Sequence, residues 1–263
     1  MSRLRLLTLA AGITAAALAL AGCASGATGT DASSDPDAGY VTPGKLTIAT
    51  GDIAYYPYVI DDDPSSGEGF ESAVAYAIAE ELGFAPEDVE WERTSFEAAI
   101  APGPKSFDFN IQQYTITDER KQAVDFSSPY YSASQAIVAV EGGAADGVDS
   151  IEGLKDLLIG AMAGSTSAQT LQEVVEPTTA PQLFGSNEDV VAALNAGQID
   201  AFVIDLPTAY LATAMYIEDS FIVGELPAGG IPDEWGVVLP KDSALTESVS
   251  AALDKLREDG TLA

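Results

Sequence analysis

The sequence predicts an α/β protein composed of two similar units. From Lys45 onward, short runs rich in apolar and β-branched residues alternate with helical patterns, and this alternation favours mostly parallel strands. The pair Gly142-Gly143 marks a turn, after which the alternation starts again. The part of the chain after the N-terminal segments has roughly 220 residues, enough for two lobes with separate cores.

The first half contains one clear helical pattern, at residues 70–82. Its apolar residues Val74, Ile78 and Leu82 recur at helical spacing, and Gly83 follows as a stop signal. Short β-rich runs surround this helix and predict strands at 46–49, 89–91, 107–111, 123–126 and 136–140.

The second half repeats the theme with helices and strands of similar length. We predict helices at 151–157, from Ala168 onward, at 189–195 and at 245–257. Strands are expected at 158–162, 201–204 and 235–239. A loop of small residues separates strand 158–162 from the helix that follows it.

The N-terminus has the pattern of an export signal. Arg3 and Arg5 precede an apolar run at 6–20, whose length is typical of a signal peptide and short for a membrane span, the weaker alternative. The run ends in Leu20-Ala21-Gly22-Cys23, which resembles a bacterial lipobox. Cys23 is the only cysteine, so it has no internal disulfide partner. We therefore expect residues 1–22 to be removed and Cys23 to carry the lipid.

Residues 23–44 are expected to form a lipid anchor and flexible tether, because Ala, Ser, Gly, Thr, Asp and Pro predominate there. The net charge of −30 argues against nucleic acid as a partner, because it would repel the phosphate backbone. Histidine is absent, which removes the commonest general base and metal ligand. We expect no cofactor and no metal, since Asp61-Asp62-Asp63 lacks the spacing of a calcium loop.

The run from Thr115 to Tyr131, TITDERKQAVDFSSPYY, resembles the signature region of family 3 bacterial extracellular solute-binding proteins. The resemblance extends over 45–263. It implies a two-lobed, periplasmic-binding-protein type II-like fold with two chain crossovers and a ligand cleft between the lobes. Residues 45–134 plus 231–263 would form lobe 1, and 135–230 would form lobe 2. Family members normally continue beyond Leu262, so either the sequence is truncated or a C-terminal cap is lost.

The same resemblance implies a function and a setting. The chain would bind a free amino acid or related zwitterion, with a polar one as our expectation, and deliver it to the permease of an ABC importer. It would be exported, anchored to the outer face of the cell membrane through the lipid on Cys23, and monomeric.

Two charged residues match the family positions that hold the ligand backbone. Arg120 corresponds to the arginine that grips the α-carboxylate, and guanidinium geometry suits this task because it offers two parallel hydrogen bonds. Its alternative is a solvated arginine in a charged run. Asp205 corresponds to the acid that receives the α-ammonium, and its alternative is a helix cap.

Small polar residues match further family positions. Thr115 and the backbone of Gln113 fall where the first lobe holds the ammonium and carboxylate. Thr166 and Ser165 lie between a strand and a helix, where backbone N–H groups can hold the carboxylate from the opposite lobe. Ordinary helix capping is the alternative for both residues.

Aromatic residues Tyr55 and Phe96 match positions that flank the ligand's side chain, since rigid rings enclose a stem at little entropic cost. Tyr55 has core packing as its alternative. Asp52 lies one residue from the place where some basic-amino-acid binders carry an acid.

Two other functions share the expected fold. One is a dehydratase-like enzyme in which Asp205 or Glu119 acts on the bound substrate, although no histidine and no nucleophile-base pair supports it. The other is a sensory module that binds the same ligand and signals to a partner. We favour binding for transport, without catalytic residues.

Overall fold

The computed structural model describes residues 39–228 and 233–262. Its ten strands, in chain order, are β1 (Leu46–Gly51), β2 (Val89–Thr94), β3 (Phe109–Asn110), β4 (Val124–Ser132), β5 (Gln135–Val140), β6 (Ile159–Met162), β7 (Gln182–Phe184), β8 (Ala201–Asp205), β9 (Ser220–Leu226) and β10 (Glu234–Pro240). Seven α-helices lie between or after them: α1 (Phe70–Glu81), α2 (Phe96–Ile100), α3 (Ile151–Leu154), α4 (Thr166–Thr170), α5 (Asn187–Asn195), α6 (Leu206–Leu211) and α7 (Thr246–Glu258).

The strands form two five-stranded sheets. The first has the order β2-β1-β3-β10-β4, and the second has the order β7-β6-β8-β5-β9. We call the part built on the first sheet lobe 1 and the part built on the second sheet lobe 2. The chain passes from lobe 1 to lobe 2 between β4 and β5 and returns between β9 and β10.

Helices α1 and α7 cover one face of the first sheet. Ile78 of α1 and Leu253 of α7 are fully buried against Leu46 and Ile48 of β1. Burying a side chain of this size contributes about 1.5–3 kcal/mol. The spacing predicted for 70–82 and 245–257 arises from this contact, since only one stripe of each helix faces the sheet.

Each sheet combines parallel and antiparallel pairing. Strands β2, β1 and β3 run parallel, and so do β7, β6 and β8. The strands next to the two crossovers pair antiparallel: β10 with β3 and β4, and β5 with β8 and β9. The expectation of mostly parallel strands is therefore wrong, because each sheet has two neighbour pairs of each kind.

Most predicted elements exist, with shifted ends. The helix expected from Ala168 begins at Thr166, where Ser165 accepts a hydrogen bond from the backbone N–H of Ala168 at 3.1 Å. Among the strands and α-helices, four were not predicted: α2, β7, α6 and β9.

Candidate functional site

The candidate site lies at the carboxyl ends of the six parallel strands. In open α/β sheets this edge is where ligands bind. The residues that follow these strands line a cavity of about 120 Å³ that includes side chains from both lobes. They are Asp52 and Tyr55 after β1, Ser95 and Phe96 after β2, Gln112 and Gln113 after β3, Ser165 and Thr166 after β6, Ser186, Asn187 and Glu188 after β7, and Asp205 at the end of β8.

Arg120 lies behind this cavity and reaches from lobe 1 to lobe 2. Its Nη1 donates to the carbonyl of Thr115 at 2.7 Å, and its Nη2 donates to the carbonyl of Gly164, in the loop after β6, at 2.9 Å. The residue is only 8 % exposed. Burial lowers the pKa of Arg120, but an arginine stays protonated at neutral pH. The site therefore contains a buried positive charge.

An aromatic pair supports this guanidinium. The Phe96 ring stacks on Tyr114 with centroids 4.4 Å apart, and Cζ of Arg120 lies 5.4 Å from the Phe96 centroid. A cation over an aromatic face is stabilised by the ring quadrupole. Phe96 thus has one ring contact with the arginine and also lines the cavity.

Asp205 and Asp233 form a pair of carboxylates joined by one amide. Nε2 of Gln135 donates to Oδ1 of Asp205 at 2.6 Å and also donates to Oδ2 of Asp233. Burial raises the pKa of Asp205 to about 8, and the Asp233 charge adds to that shift, while Gln135 and Arg120 oppose it. The side chain of Asp205 makes no capping hydrogen bond to α6. The capping alternative is therefore not what this structure shows.

Hydroxyl groups and a carboxylate join the two lobes directly. Oγ1 of Thr115 lies 3.0 Å from Oγ1 of Thr166 across the cleft, and it donates to Oδ1 of Asp233 within lobe 1 at 2.7 Å. The Tyr55 hydroxyl donates to Oε2 of Glu188 on α5 at 2.6 Å. A further contact of 3.0 Å joins the hydroxyls of Tyr58 and Thr208 on α6. The lobes therefore meet across the cleft through side-chain hydrogen bonds.

Comparison with known proteins identifies the family. Residues 46–263 match the model for bacterial extracellular solute-binding proteins, family 3. The chain belongs to this family.

Named relatives support the same conclusion. The glutamate-binding protein GluB of Corynebacterium efficiens is 30% identical over 99% of this chain and 90% of its own length. The ABC transporter glutamine-binding protein GlnH of Bacillus subtilis is 31% identical over 75% of this chain and 71% of its own. A solved structure of an ancestral arginine-binding protein bound to arginine has a TM-score of 0.70 and 33% identity, covering 83% of this chain and 95% of that one.

This family 3 solute-binding protein brings most of the predicted site residues together. Tyr55, Phe96, Gln113, Thr166 and Asp205 line the 120 Å³ cavity, and Ser165 does so too. Thr115 and Arg120 lie behind them, joined to each other by the bond at the Thr115 carbonyl.

The Ser165 hydroxyl is already used by the protein itself. It donates to the carbonyl of Met162 at 2.6 Å and accepts from the N–H of Ala168. The structure thus shows the capping role that the sequence left open for this side chain.

Sequence reasoning missed four polar residues that complete the site: Glu71, Gln135, Glu188 and Asp233. Each is held by a partner far away in the sequence, such as Gln135 by Asp233 and Glu188 by Tyr55. Glu188 follows the end of β7, a position that would have indicated a site residue, but that strand was itself not predicted.

Other predictions concern the surroundings of the site. Cys23 and the leader fall outside the described residues. In the described ranges, no three His, Cys, Asp or Glu side chains lie close enough together to hold a metal ion. Asp62 instead pairs with Arg93 at 2.7 Å. Among the helices of residues 39–228 and 233–262, none has the length and apolar character required to cross a bilayer.

Proposed function

We propose that this protein captures one free amino acid in the cleft between its lobes and delivers it unchanged to the permease of an ABC importer. The observation that carries the proposal is a buried guanidinium, Arg120 of lobe 1, directly behind a small cavity that is lined by the carboxyl group of Asp205 from lobe 2. An amino acid presents the complementary pair of charges on a single carbon. The relatives are named for binding glutamate, glutamine and arginine, and these names agree with this ligand class.

Arg120 is proposed to hold the α-carboxylate. Its Nη2 donates to a backbone carbonyl of lobe 2, and a carboxylate is the stronger acceptor for this group. Hydrogen bonds to charged groups contribute about 1.5–3 kcal/mol each. Two such bonds would provide a large part of the roughly 8.2 kcal/mol that micromolar binding requires.

Asp205 is proposed to receive the α-ammonium, with Thr115, Gln113, Thr166 and Ser165 around it. A neighbouring ammonium favours the ionised carboxylate, so binding would reverse the upward shift in the pKa of Asp205. Thr115 and Thr166 contribute hydroxyl groups from opposite lobes, 3.0 Å apart. Ser165 would contribute by positioning Thr166, because its hydroxyl caps α4 and its backbone N–H donates to the Met162 carbonyl at 3.3 Å.

The cavity lining favours a neutral polar or cationic ligand side chain over an acidic one. Its described residues include the acids Asp52 and Glu188 and no lysine or arginine. A ligand carboxylate placed next to them would be repelled at short range. Tyr55 and Phe96 are proposed to enclose the apolar stem of the ligand.

Binding is proposed to select the closed arrangement of the lobes. Lobe 1 would comprise residues 45–134 plus 231–263, and lobe 2 residues 135–230, with the hinge at the two crossovers. The differential contacts that a ligand makes with both lobes provide the energy for closure. Acylated Cys23 would hold the monomeric protein at the outer face of the membrane, next to the permease.

The test is a thermal-shift screen of the chain from residue 23 onward carrying Cys23→Ser, which prevents acylation. Each common amino acid is added, and a ligand at 100 times its Kd adds about 2.7 kcal/mol of stability. We expect one chemical class to raise the Tm and Arg120→Ala to abolish the shift. Arg257→Ala is the matched control, since Arg257 is exposed on α7 and pairs with Asp254.

The result also separates the alternative functions. Recovery of the ligand unchanged after prolonged incubation supports capture without catalysis, whereas its conversion supports the dehydratase-like reading. If no amino acid shifts a folded chain, the proposed ligand class is wrong. Labelling with an alkyne fatty acid in cells tests the anchor, and Cys23→Ala should abolish the label.

A further inference from the structure

A carboxylate inside lobe 1 has no role in the contacts described so far. Glu71 is the second residue of α1 and is only 1 % exposed. Its position follows from the start of the helix. Gly69 has φ +106°, and a Cβ there would lie 2.5 Å from the carbonyl oxygen of Tyr58, so only glycine allows this approach. The N–H of Glu71 donates to the same carbonyl at 2.9 Å, and the side chain enters the protein.

Both carboxylate oxygens of Glu71 accept hydrogen bonds, and Gln113 is the main donor. The backbone N–H of Gln113 donates to Oε1 at 2.8 Å, and the side-chain Nε2 of Gln113 donates to Oε2. The Tyr130 hydroxyl also donates to Oε1. Glu71 therefore holds Gln113 by its main chain and by its side chain at once.

Gln113 has a conformation that requires such support. Its φ is +49°, in the left-handed region that side chains with a Cβ disfavour. Residues held in this region persist only where their surroundings enforce them, and they are common at ligand sites. Gln113 itself lines the cavity.

The course of the chain after Gln113 determines where two further site groups lie. Thr115 lies two residues later. Its carbonyl accepts a hydrogen bond from Arg120, and its hydroxyl contacts that of Thr166. A change at Gln113 would therefore move the segment that connects Arg120 to the cavity.

We propose that Glu71 is a positioning residue for ligand binding, whose buried carboxylate keeps Gln113 in its left-handed conformation so that Gln112 and Gln113 line the cavity and Thr115 meets Arg120. This inference rests on the proposed function and adds to it a residue that touches no ligand. Glu71 faces Tyr130 on β4 and Gln113 directly, with Tyr58, Tyr114 and, across the cleft, Asp205 as more distant neighbours. Burial raises the pKa of Glu71 to about 7, and protonation would cost Gln113 one acceptor.

A second buried carboxylate provides a matched control. Asp108 is 2 % exposed in the same lobe and accepts from the N–H groups of Val41 and Thr47, at 2.7 Å each. It lies just before β3, at the opposite end of the sheet from the cavity. Asp108→Asn therefore removes a buried structural charge of lobe 1 without touching residues 112–115.

The experiment compares Glu71→Gln, Asp108→Asn and the unsubstituted chain, each carrying Cys23→Ser. The Kd values for L-arginine, L-glutamine and L-glutamate are measured by calorimetry well below the Tm. We expect both substitutions to lower the Tm, and only Glu71→Gln to weaken binding, by tenfold or more. A Kd within twofold of the parent for Glu71→Gln would show that the carboxylate is merely structural and overturn the inference.

A second pair of variants leaves Glu71 untouched in case Glu71→Gln does not fold. Gln113→Ala and Gln113→Gly both remove the side-chain amide, but only glycine accepts a positive φ without strain. We expect the alanine variant to bind at least fivefold more weakly than the glycine variant, and equal Kd values would contradict the proposal. If the parent binds none of the common amino acids, the proposed function fails and this inference falls with it. If the parent binds an amino acid and Glu71→Gln binds it with the same Kd, this inference is overturned and the proposed function stands.

Discussion

The two lobes contribute to the cleft in different ways. Lobe 1 presents groups that are deeply buried and held from behind: Arg120 at 8 % exposure, Thr115 at 2 % and Glu71 at 1 %. In lobe 2, Gln135 is equally buried at 5 %, but Thr166, Glu188 and Asp205, which lie on short helices or at strand ends, are half-buried. Arg120 and Thr115 also bond each other within lobe 1, so we expect lobe 1 to be the prearranged half of the site. Lobe 2 would then close over a ligand already seated on lobe 1.

Substitution in the prearranged half should have the largest effect. Arg120→Lys keeps the positive charge but loses the fork that donates to Thr115 and Gly164. We expect the Kd to rise by about a hundredfold, because the lysine can replace only one of the two bonds and each is worth about 1.5–3 kcal/mol. Calorimetry measures the change. A Kd within fivefold of the parent would mean that charge alone matters and that lobe 1 is not prearranged.

Asp205→Asn tests the charged group of lobe 2. Loss of the charge on the ammonium acceptor should raise the Kd by about tenfold or more, since bonds to ions are about twice as strong as neutral ones. The Tm of the unliganded chain should rise at pH 8, because a disfavoured buried charge next to Asp233 is removed. Denaturation with and without ligand separates these effects. Lower affinity together with a lower unliganded Tm would contradict this role.

The pH dependence should have opposite signs for stability and for affinity. Asp205 has a folded pKa of about 8 and an ordinary value of 3.8, so between these pH values the folded chain holds a proton that the unfolded chain has released. The free energy of unfolding of the unliganded chain should therefore fall as pH rises from 5 to 8. Affinity should rise over the same window, because the ammonium requires an ionised carboxylate.

This prediction is measured by chemical denaturation and calorimetry at several pH values, with Asp205→Asn as the control that should flatten part of both curves. Glu71, with a pKa of about 7, contributes to stability with the same sign. Parallel slopes for stability and affinity would refute the assignment of Asp205.

The smallest effect is expected at the contact between the two lobes through their threonines. Thr166→Val keeps the shape of the side chain but removes its hydroxyl, which lies 3.0 Å from that of Thr115. One neutral hydrogen bond contributes about 1 kcal/mol, so the Kd should rise about fivefold. Thr178→Val is the matched control, because its hydroxyl bonds Lys155 and Asp156 away from the cleft. A loss as large as that of Arg120→Lys would remove the distinction between the lobes.

The sequence allows the regular elements to be predicted where one face meets a core. Helix α1 is an example, since Val74 and Ile78 repeat at the spacing of the buried stripe. Strand β9 was missed although it contains an apolar run, because Gly224 and Glu225 interrupt it at the edge of the sheet. The antiparallel pairing of β5 with its neighbours in the second sheet, and of β10 with its neighbours in the first, was also missed. Strand direction depends on the crossovers rather than on the local sequence pattern.

The site was predictable only in part. Arg120 and Asp205 were located through family resemblance, and the structure places both at the cleft. Glu71 could not be recognised, because an acid in the first turn of a helix is ordinarily favourable on the surface. Its partner Gln113 lies 42 residues away, so its role depends on a contact that only the folded chain creates.

Asp205 and Asp233 share a single neutral donor, the amide of Gln135, so a positive charge on the ligand is what would balance them. This requirement affects how the protein would respond to small organic acids. Lactate or succinate could offer a carboxylate to Arg120 but no positive group to the two acids beside it. Asp205 would then keep its proton, and the ligand would lack the charge-assisted bond that an ammonium gains there. We therefore expect the protein not to bind fermentation acids such as lactate and succinate, even where their concentration greatly exceeds that of amino acids.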